Sequence, residues 1–200
     1  MTNKIFYSTK TYNNDRGLSC CFRQWRSTHS HCSLLHGYSI GIKLIFGCES
    51  LDDRNWVFDF GGLKDFKAWA DHMFDHTLVI AADDPHLDSM VDTLGANGLN
   101  IADIRIVPGV GCERFAELAF DKMTSIIDEA RANGKLLNPT SFLESVEVFE
   151  HGANSAICKH HDRKMFHIDM PTSVKLTEIK DKIIKLTNIV KDRDNHLAPG

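Results

Sequence analysis

The sequence predicts an α+β protein in which helices cover one face of an antiparallel sheet. Hydrophobic and polar residues alternate along Tyr38–Phe46 and again along Leu143–Glu150, as they do in half-buried strands. Hydrophobic residues recur at helical spacing between Leu63 and Phe74 and within Cys112–Asn133. The order of strands, helix, strand, helix and strand, with hairpin-like neighbours, favours antiparallel pairing.

Local signals position the individual elements along the chain. Gly61 and Gly62 separate a strand from the first helix, Gly95 ends a short second helix, and Gly134 ends the longest one. Alternation places four hydrophobic side chains on one face of the strand Tyr38–Phe46, namely Ile40, Ile42, Leu44 and Phe46. The other predicted strands cover Lys4–Ser8, Leu18–Trp25, Trp56–Phe60 and Asp103–Val107, and the short helix covers His86–Leu94.

The composition is that of a globular protein without a membrane span or a nucleic-acid surface. The chain has 200 residues, of which 42% are hydrophobic and 25% are charged, and its formal net charge is −4. No run approaches the roughly 20 apolar residues of a membrane span. Residues 1–10 contain no signal-peptide core. The 6 cysteines are irregularly spaced, which predicts free thiols and a cytoplasmic, reducing location.

Two parts are predicted, a main domain over residues 1–157 and a C-terminal extension over residues 158–200. The stretch His151–Pro171 is polar and favours a linker. The cluster of Cys158, His160 and His161 is assigned to this linker rather than to a metal site. The sequence also predicts a final helix, from the spacing of Leu176, Ile179, Ile183, Leu186 and Val190. This helix could pack on its own domain or on another subunit.

Two short segments carry the side chains of a proton-transfer site. Cys32 lies four residues before His36 in a loop-like stretch, and nearby imidazoles can activate a thiol. Asp75 precedes His76, and a carboxylate can orient an imidazole. A lone cysteine is more often a small buried hydrophobe, and an isolated Asp-His pair is more often a surface turn. Neither segment therefore decides the function by itself.

Glu150 ends the last predicted strand, where its carboxylate would lie at the rim of the sheet. From there it could accept two hydrogen bonds from an amidine-like edge, such as that of a pterin or guanine. Without further context, a solvated glutamate at a strand end is the simpler interpretation.

Six motifs follow one another in the order and spacing of a known family. They are Leu18–Arg23, Cys32–Tyr38, Val57–Lys64, Phe74–Leu78, Cys112–Glu113 and Val146–Glu150. On these motifs the chain resembles the 6-pyruvoyltetrahydropterin synthase / 6-carboxytetrahydropterin synthase family over Lys4–Ile157. The short gap from Cys32 to His36 resembles the 6-carboxytetrahydropterin synthase branch.

The resemblance implies the tunnelling fold, in which an antiparallel sheet carries two main helices on one face. It also implies a homo-oligomer, commonly a hexamer, with active sites between subunits. The catalytic positions of the family correspond here to Cys32, Asp75 and His76, with His76 handling protons. The substrate-binding positions correspond to Glu150, which would anchor the pterin ring, and to Glu113.

The family binds zinc through three histidines, so the resemblance implies zinc as the cofactor. Only His36 is retained at these positions, because Phe22 and Tyr38 stand at the other two. A catalytic zinc normally has three protein ligands, and a phenyl ring provides none. Two interpretations remain open. Either no metal is bound tightly, or a metal is held with substitute ligands drawn from His29, His31 and Cys20.

The resemblance implies a lyase that converts 7,8-dihydroneopterin triphosphate to 6-carboxy-5,6,7,8-tetrahydropterin in deazaguanine (queuosine) biosynthesis. One alternative is a 6-pyruvoyltetrahydropterin synthase-like or other pterin enzyme that lacks the usual zinc. The other is a non-catalytic module that binds a pterin or a purine. The presence of Cys32, Asp75, His76 and Glu150 favours an enzyme, whereas the loss of two ligand positions favours the alternatives.

Overall fold

The structure is a computed structural model, and it describes residues 4–160. This part of the chain forms two four-stranded sheets and three α-helices. The strands are β1 (Phe6–Tyr12), β2 (Ser19–Phe22), β3 (His36–Ser39), β4 (Gly41–Cys48), β5 (Thr77–Ala81), β6 (Asp103–Val107), β7 (Phe142–His151) and β8 (Asn154–Lys159). The helices are α1 (Lys64–Phe74), α2 (Leu87–Leu94) and α3 (Cys112–Ala132).

The first sheet is antiparallel throughout and has the strand order β1-β4-β7-β8. Helix α3 packs against β7 and β8, and α1 packs against α3. The predicted hydrophobic face is confirmed, because no side-chain surface is left exposed at Ile40, Ile42, Leu44 and Phe46. The α+β class is therefore confirmed, with a core between the first sheet and its helices.

The second sheet has the order β3-β2-β5-β6 and mixes two kinds of pairing. β2 and β3 are antiparallel, whereas β5 runs parallel to both β2 and β6. Helix α2 connects β5 to β6. A helical crossover of this kind returns the chain to the same end of the sheet, so that the next strand runs parallel to the first. These parallel pairs were not predicted, because they join segments that are distant in the chain.

Four predicted strands differ from the structure. The predicted strand Leu18–Trp25 is shorter and ends at Phe22. Tyr38–Phe46 is divided at Ile40, so that β3 pairs with β2 while β4 pairs with β1 and β7. Trp56–Phe60 is irregular, because its first backbone N–H donates to Asp52 Oδ1 (2.8 Å) within a turn rather than to a neighbouring strand. The first strand begins at Phe6 and ends at Tyr12, four residues beyond the predicted end at Ser8.

The predicted linker after His151 is wrong in its first part. Asn154–Lys159 forms β8, in which Cys158 pairs with Val146 of β7 and packs against the core. The strand is difficult to recognise in the sequence because its core-facing residues, Ala156 and Cys158, are small, whereas its large hydrophobic residue, Ile157, is 60% exposed. The division of the chain at residue 157 stays a prediction, and His161 and the final helix at Leu176–Val190 lie outside the described residues.

All six cysteines lie within the described part of the chain, and all are free thiols. Over the same residues, 4–160, no helix is long and apolar enough to cross a membrane.

Candidate active site

Strands β2 and β3 bring three ring side chains onto one face of the second sheet. Phe22 lies directly opposite His36, and Cys20 lies directly opposite Tyr38. The ring centroids of His36 lie 5.0 Å from Phe22 and 5.4 Å from Tyr38. The centroids of Phe22 and Tyr38 are 6.3 Å apart, as expected for diagonal neighbours on paired strands. We call Phe22, His36 and Tyr38 the ring cluster.

Cys32 is held beside the C-terminal end of β2. It lies in a short 3₁₀ turn, His31–Ser33. The backbone N–H of Cys32 donates to Ser30 Oγ at 3.0 Å and caps this turn. The backbone N–H of Gln24 donates to the Cys32 carbonyl at 2.7 Å. Because Gln24 follows β2 by two residues, these bonds place the half-buried thiol next to the ring cluster.

An ion pair fixes the base of the loop that carries Cys32. The Nε and Nη2 atoms of Arg23 each donate to one carboxylate oxygen of Asp84 at 2.8 Å, and Nη1 donates to the Ser33 carbonyl at 3.4 Å. Burial alone would raise the pKa of Asp84, but hydrogen bonds from Arg23 and from the His86 N–H lower it below its usual range. The carboxylate is therefore charged at neutral pH and anchors the loop.

Glu150 lies at the end of β7, half-buried and close to the Tyr38 hydroxyl. Its charge is the largest cause that raises the pKa of Tyr38, followed by burial and by the charge of Cys32. Burial, followed by the charge of Glu150, raises the pKa of the Cys112 thiol to about 12, and this thiol also hydrogen-bonds Glu150. The charges of Glu150, Cys32 and Cys112 thus all act on Tyr38, although these residues come from three different segments.

Asn14 connects the strand that carries Tyr38 to the strand that carries Glu150. Its Nδ2 donates to the Ser39 carbonyl at 2.5 Å and to the Glu150 carbonyl at 3.0 Å. In return, the Ser39 hydroxyl donates to the Asn14 carbonyl. These bonds fix the position of Glu150 relative to the ring cluster.

Glu113 lies in the first turn of α3, and its side chain is exposed. The preceding Gly111 has φ = 108°, and a β-carbon there would lie 2.5 Å from Gln24 Nε2 and 3.5 Å from Glu113 Oε2. Only glycine allows this approach, which brings Gln24 and Glu113 together over the helix N-terminus. Because Gln24 also bonds the Cys32 carbonyl, Glu113 lies at the same end of β2 as Cys32.

Asp75 and His76 lie at the other end of β2. Nδ1–H of His76 donates to Asp75 Oδ1 at 2.5 Å, which leaves Nε2 free, and 86% of the His76 side chain is exposed. The next residue, Thr77, pairs with Cys20 at the start of β2. Within one chain, His76 and Cys32 are therefore separated by on the order of 10 Å of strand.

The structure thus brings together Cys32, His36, Glu113 and Glu150, but it leaves the Asp75–His76 pair apart from them in a single chain. Sequence reasoning missed three residues that support the site: Asn14, Gln24 and Cys112. Two of them had a usable signal, because Gln24 lies within the predicted strand Leu18–Trp25 and Cys112 directly precedes Glu113 in one of the six motifs. Asn14 had none, since its role depends on strands that meet far apart in the sequence.

The sequence of most of the described part of the chain matches one protein family. The sequence profile described as 6-pyruvoyl tetrahydropterin synthase matches residues 12–161. The chain belongs to the 6-pyruvoyl tetrahydropterin synthase family. Of the relatives with assigned names, the 6-carboxy-5,6,7,8-tetrahydropterin synthase of Rickettsia conorii is 32% identical over 62 residues, which is 30% of this chain and 45% of that protein. The enzyme of the same name from Rickettsia bellii is 30% identical over 63 residues, covering 31% and 46%.

Solved structures share the fold of this 6-pyruvoyl tetrahydropterin synthase family member at lower identity. An uncharacterized protein from Wolinella succinogenes is 18% identical with a TM-score of 0.61, covering 79% of this chain and 99% of that one. The 6-pyruvoyl tetrahydropterin synthase of Plasmodium falciparum is 14% identical with a TM-score of 0.54, covering 80% and 99%. These likenesses confirm the tunnelling fold.

The ring cluster of this 6-pyruvoyl tetrahydropterin synthase family member does not fit a three-ligand zinc site. Phe22 offers no lone pair, and a phenol is an uncommon zinc ligand. Among the substitutes, His29 and His31 are exposed, whereas burial raises the pKa of the Cys20 thiol to about 12. Across residues 4–160, no three His, Cys, Asp or Glu side chains lie close enough to share one metal.

Proposed function

We propose that the protein is a 6-carboxy-5,6,7,8-tetrahydropterin synthase-like lyase of the deazaguanine (queuosine) pathway. It converts 7,8-dihydroneopterin triphosphate to 6-carboxytetrahydropterin, with loss of triphosphate and a two-carbon fragment. The observation that carries the proposal is geometric: the Cys32 carbonyl is bonded to Gln24 just beyond β2, and Asn14 bonds both Ser39, next to Tyr38, and Glu150. The names of the Rickettsia relatives support the same product, although each match spans less than half of the relative, 45% and 46%.

Glu150 is proposed to anchor the pterin. Its carboxylate accepts two hydrogen bonds from the amidine-like edge of the ring, a geometry that gives orientation as well as affinity. The protonated Cys112 thiol and the Asn14 amide, which bonds the Glu150 carbonyl, hold this carboxylate in place. Glu113 presents a second carboxylate from the N-terminus of α3.

Cys32 and His76 are proposed to move protons on the side chain of the pterin. Asp75 holds the His76 ring through Nδ1, so that Nε2 is the atom that takes or gives a proton. The half-buried Cys32 thiol is the second proton carrier, and its loop is fixed by Arg23 and Ser30. Positioned acid–base groups of this kind typically accelerate a reaction by about 10²–10⁴-fold.

A complete site is proposed to form between subunits of a homo-oligomer, such as a hexamer, in the cytoplasm. Cys32 and Glu150 would come from one subunit and His76 from another, because the two groups occupy opposite ends of β2 in one chain. β1 is an edge strand of the first sheet, and Ile5, Phe6 and Tyr7 at its start are exposed. Such an edge is suited to pairing with another subunit.

Turnover of 7,8-dihydroneopterin triphosphate, followed by chromatography and mass spectrometry of the product, tests the proposal. We expect Cys32→Ala to abolish turnover and to leave pterin binding intact. Cys21→Ala is the matched control, because Cys21 is another half-buried thiol but lies on the opposite face of β2. Unchanged turnover in Cys32→Ala would remove Cys32 from the mechanism. Tight pterin binding by the wild-type chain without product would instead identify a binding module.

A further inference from the structure

The ring cluster occupies the three positions at which the family resemblance implies zinc ligands, and its three side chains lie on one face of the paired strands β2 and β3. Phe22 and His36 are direct cross-strand partners, and Tyr38 is their neighbour on the same face. All three ring centroids lie within 6.3 Å of one another. Side chains in this arrangement can point at one common atom.

His36 keeps the orientation that a metal ligand needs. Its Nδ1 lies 2.7 Å from the Leu34 carbonyl, so Nδ1 carries the proton and donates to that oxygen. A hydrogen bond of this kind fixes the tautomer and directs the lone pair of Nε2 outward. One third of the ligand set and its supporting bond are therefore present.

Phe22, in contrast, has become part of the hydrophobic core. Its ring is 1% exposed and packs edge-on against Phe115 of α3, with centroids 5.1 Å apart and planes at 85°. Phe115 in turn packs against Phe74 of α1, also at 5.1 Å. The ring thus excludes water and any metal-bound solvent from the inner side of the cluster, and it contributes no donor atom.

Across residues 4–160, no three His, Cys, Asp or Glu side chains are grouped closely enough to hold a metal, so no described side chain completes the ligand set. His29 and His31 are exposed in the loop before Cys32, and Cys20 is 3% exposed beneath the cluster. Together, His36 and Cys20 would provide two metal-ligating side chains. Zinc sites in proteins require three or four protein ligands.

We propose that the ring cluster takes part in the reaction without bound zinc. We also propose that Phe22→His together with Tyr38→His is sufficient to rebuild a zinc site at this position. In the reaction, the Tyr38 hydroxyl then serves as a hydrogen-bond donor to the substrate oxygen that a metal would otherwise polarise. This last role rests on the proposed function, whereas the metal binding itself does not.

Metal analysis of the full chain, purified without an affinity tag or a chelator, tests the proposal. The wild-type protein is expected to retain fewer than about 0.1 zinc per chain after incubation with zinc and gel filtration, and the double variant about one. Cobalt(II) reports geometry, because the double variant should show the intense visible absorption of a tetrahedral site. Phe22→His alone is the matched control, since it supplies only two histidines.

Three outcomes would overturn the proposal. One is a wild-type chain that retains about one zinc and loses it on His36→Ala. This result would show a zinc site at the ring cluster even if the double variant did not fold. Another is a folded double variant that binds no metal. The third is a Tyr38→Phe variant with undiminished kcat, since an oxyanion donor contributes about 10²–10³-fold. The metal measurements use no pterin, so their result is independent of whether the proposed reaction is observed.

Discussion

Arg23 and Asp84 are joined by two parallel hydrogen bonds, both 2.8 Å long, although 61 residues separate them in the chain. The Asp84 side chain is completely buried, and 21% of the Arg23 side chain is exposed. Removing one partner of a buried pair is strongly destabilising, because the remaining charge keeps its desolvation cost. The pair therefore ties the base of the Cys32 loop to the segment that follows β5.

Arg23→Leu is expected to lower the free energy of unfolding by about 3–5 kcal/mol, as measured by urea denaturation. Lys67→Leu is the control, because its 2.5 Å pair with Asp71 is largely exposed and should contribute less than about 1 kcal/mol. The folded state lowers the pKa of Asp84 below its ordinary 3.8, so its stabilising contribution is lost as the pH falls through that range. The difference between wild type and Arg23→Leu should shrink in acid. Equal effects of both substitutions at neutral pH would contradict the buried-pair interpretation.

Glu150→Gln is expected to lower the pKa of Tyr38, because the charge of Glu150 is the largest cause of its elevation. The tyrosinate absorbance of the folded protein, followed during alkaline titration, measures this change. The same variant should bind pterin about 10–100-fold more weakly, since hydrogen bonds to a charged acceptor are lost. Glu147→Gln, on the same strand and similarly half-buried, should change neither quantity. An unaltered Tyr38 titration in Glu150→Gln would show that the two groups do not interact.

Cys20 and Cys112 are expected to resist alkylation at about pH 8 in the folded protein and to react after denaturation, because only a thiolate is nucleophilic. Burial is the main reason that each pKa rises from 9.0 to about 12. Since the folded state holds these protons more tightly than the unfolded state, stability should fall as the pH rises from about 9 toward 12. Peptide mass spectrometry and urea unfolding at several pH values measure the two effects. Rapid labelling of either thiol in the native protein would argue against its burial.

Hybrid oligomers test whether one site combines two subunits. Cys32→Ala and His76→Asn should each be inactive, and His76→Asn should preserve the fold because Asn tolerates the left-handed backbone of this residue (φ = 54°). Co-expression of the two variants should restore about a quarter of wild-type activity, since some sites then combine an intact Cys32 with an intact His76. Hybrids without activity would mean that both groups must come from the same chain.

Elements with a strong local period were predicted well, and long-range pairings were not. The buried face from Ile40 to Phe46 and the helices α1 and α3 follow from repeats of two or about 3.6 residues, which any short window contains. The division of one predicted strand at Ile40 and the parallel pairing of Cys20 with Thr77 depend on partners far along the chain. β8 was missed because its core-facing residues, Ala156 and Cys158, are small and its large hydrophobic residue, Ile157, faces outward.

The family and the side chains available for chemistry can be read from the sequence alone. These side chains are Cys32, the Asp75–His76 pair, Glu150, and Phe22 and Tyr38 in place of two histidines. Their arrangement in space, in contrast, depends on how the whole chain folds. The fold joins Phe22, His36 and Tyr38 in one cluster, places Glu150 and Cys32 where their charges act on Tyr38, and leaves His76 at the opposite end of β2. The physical reason is that strand register and helix packing set these distances, and both arise from burial of hydrophobic surface across the whole domain.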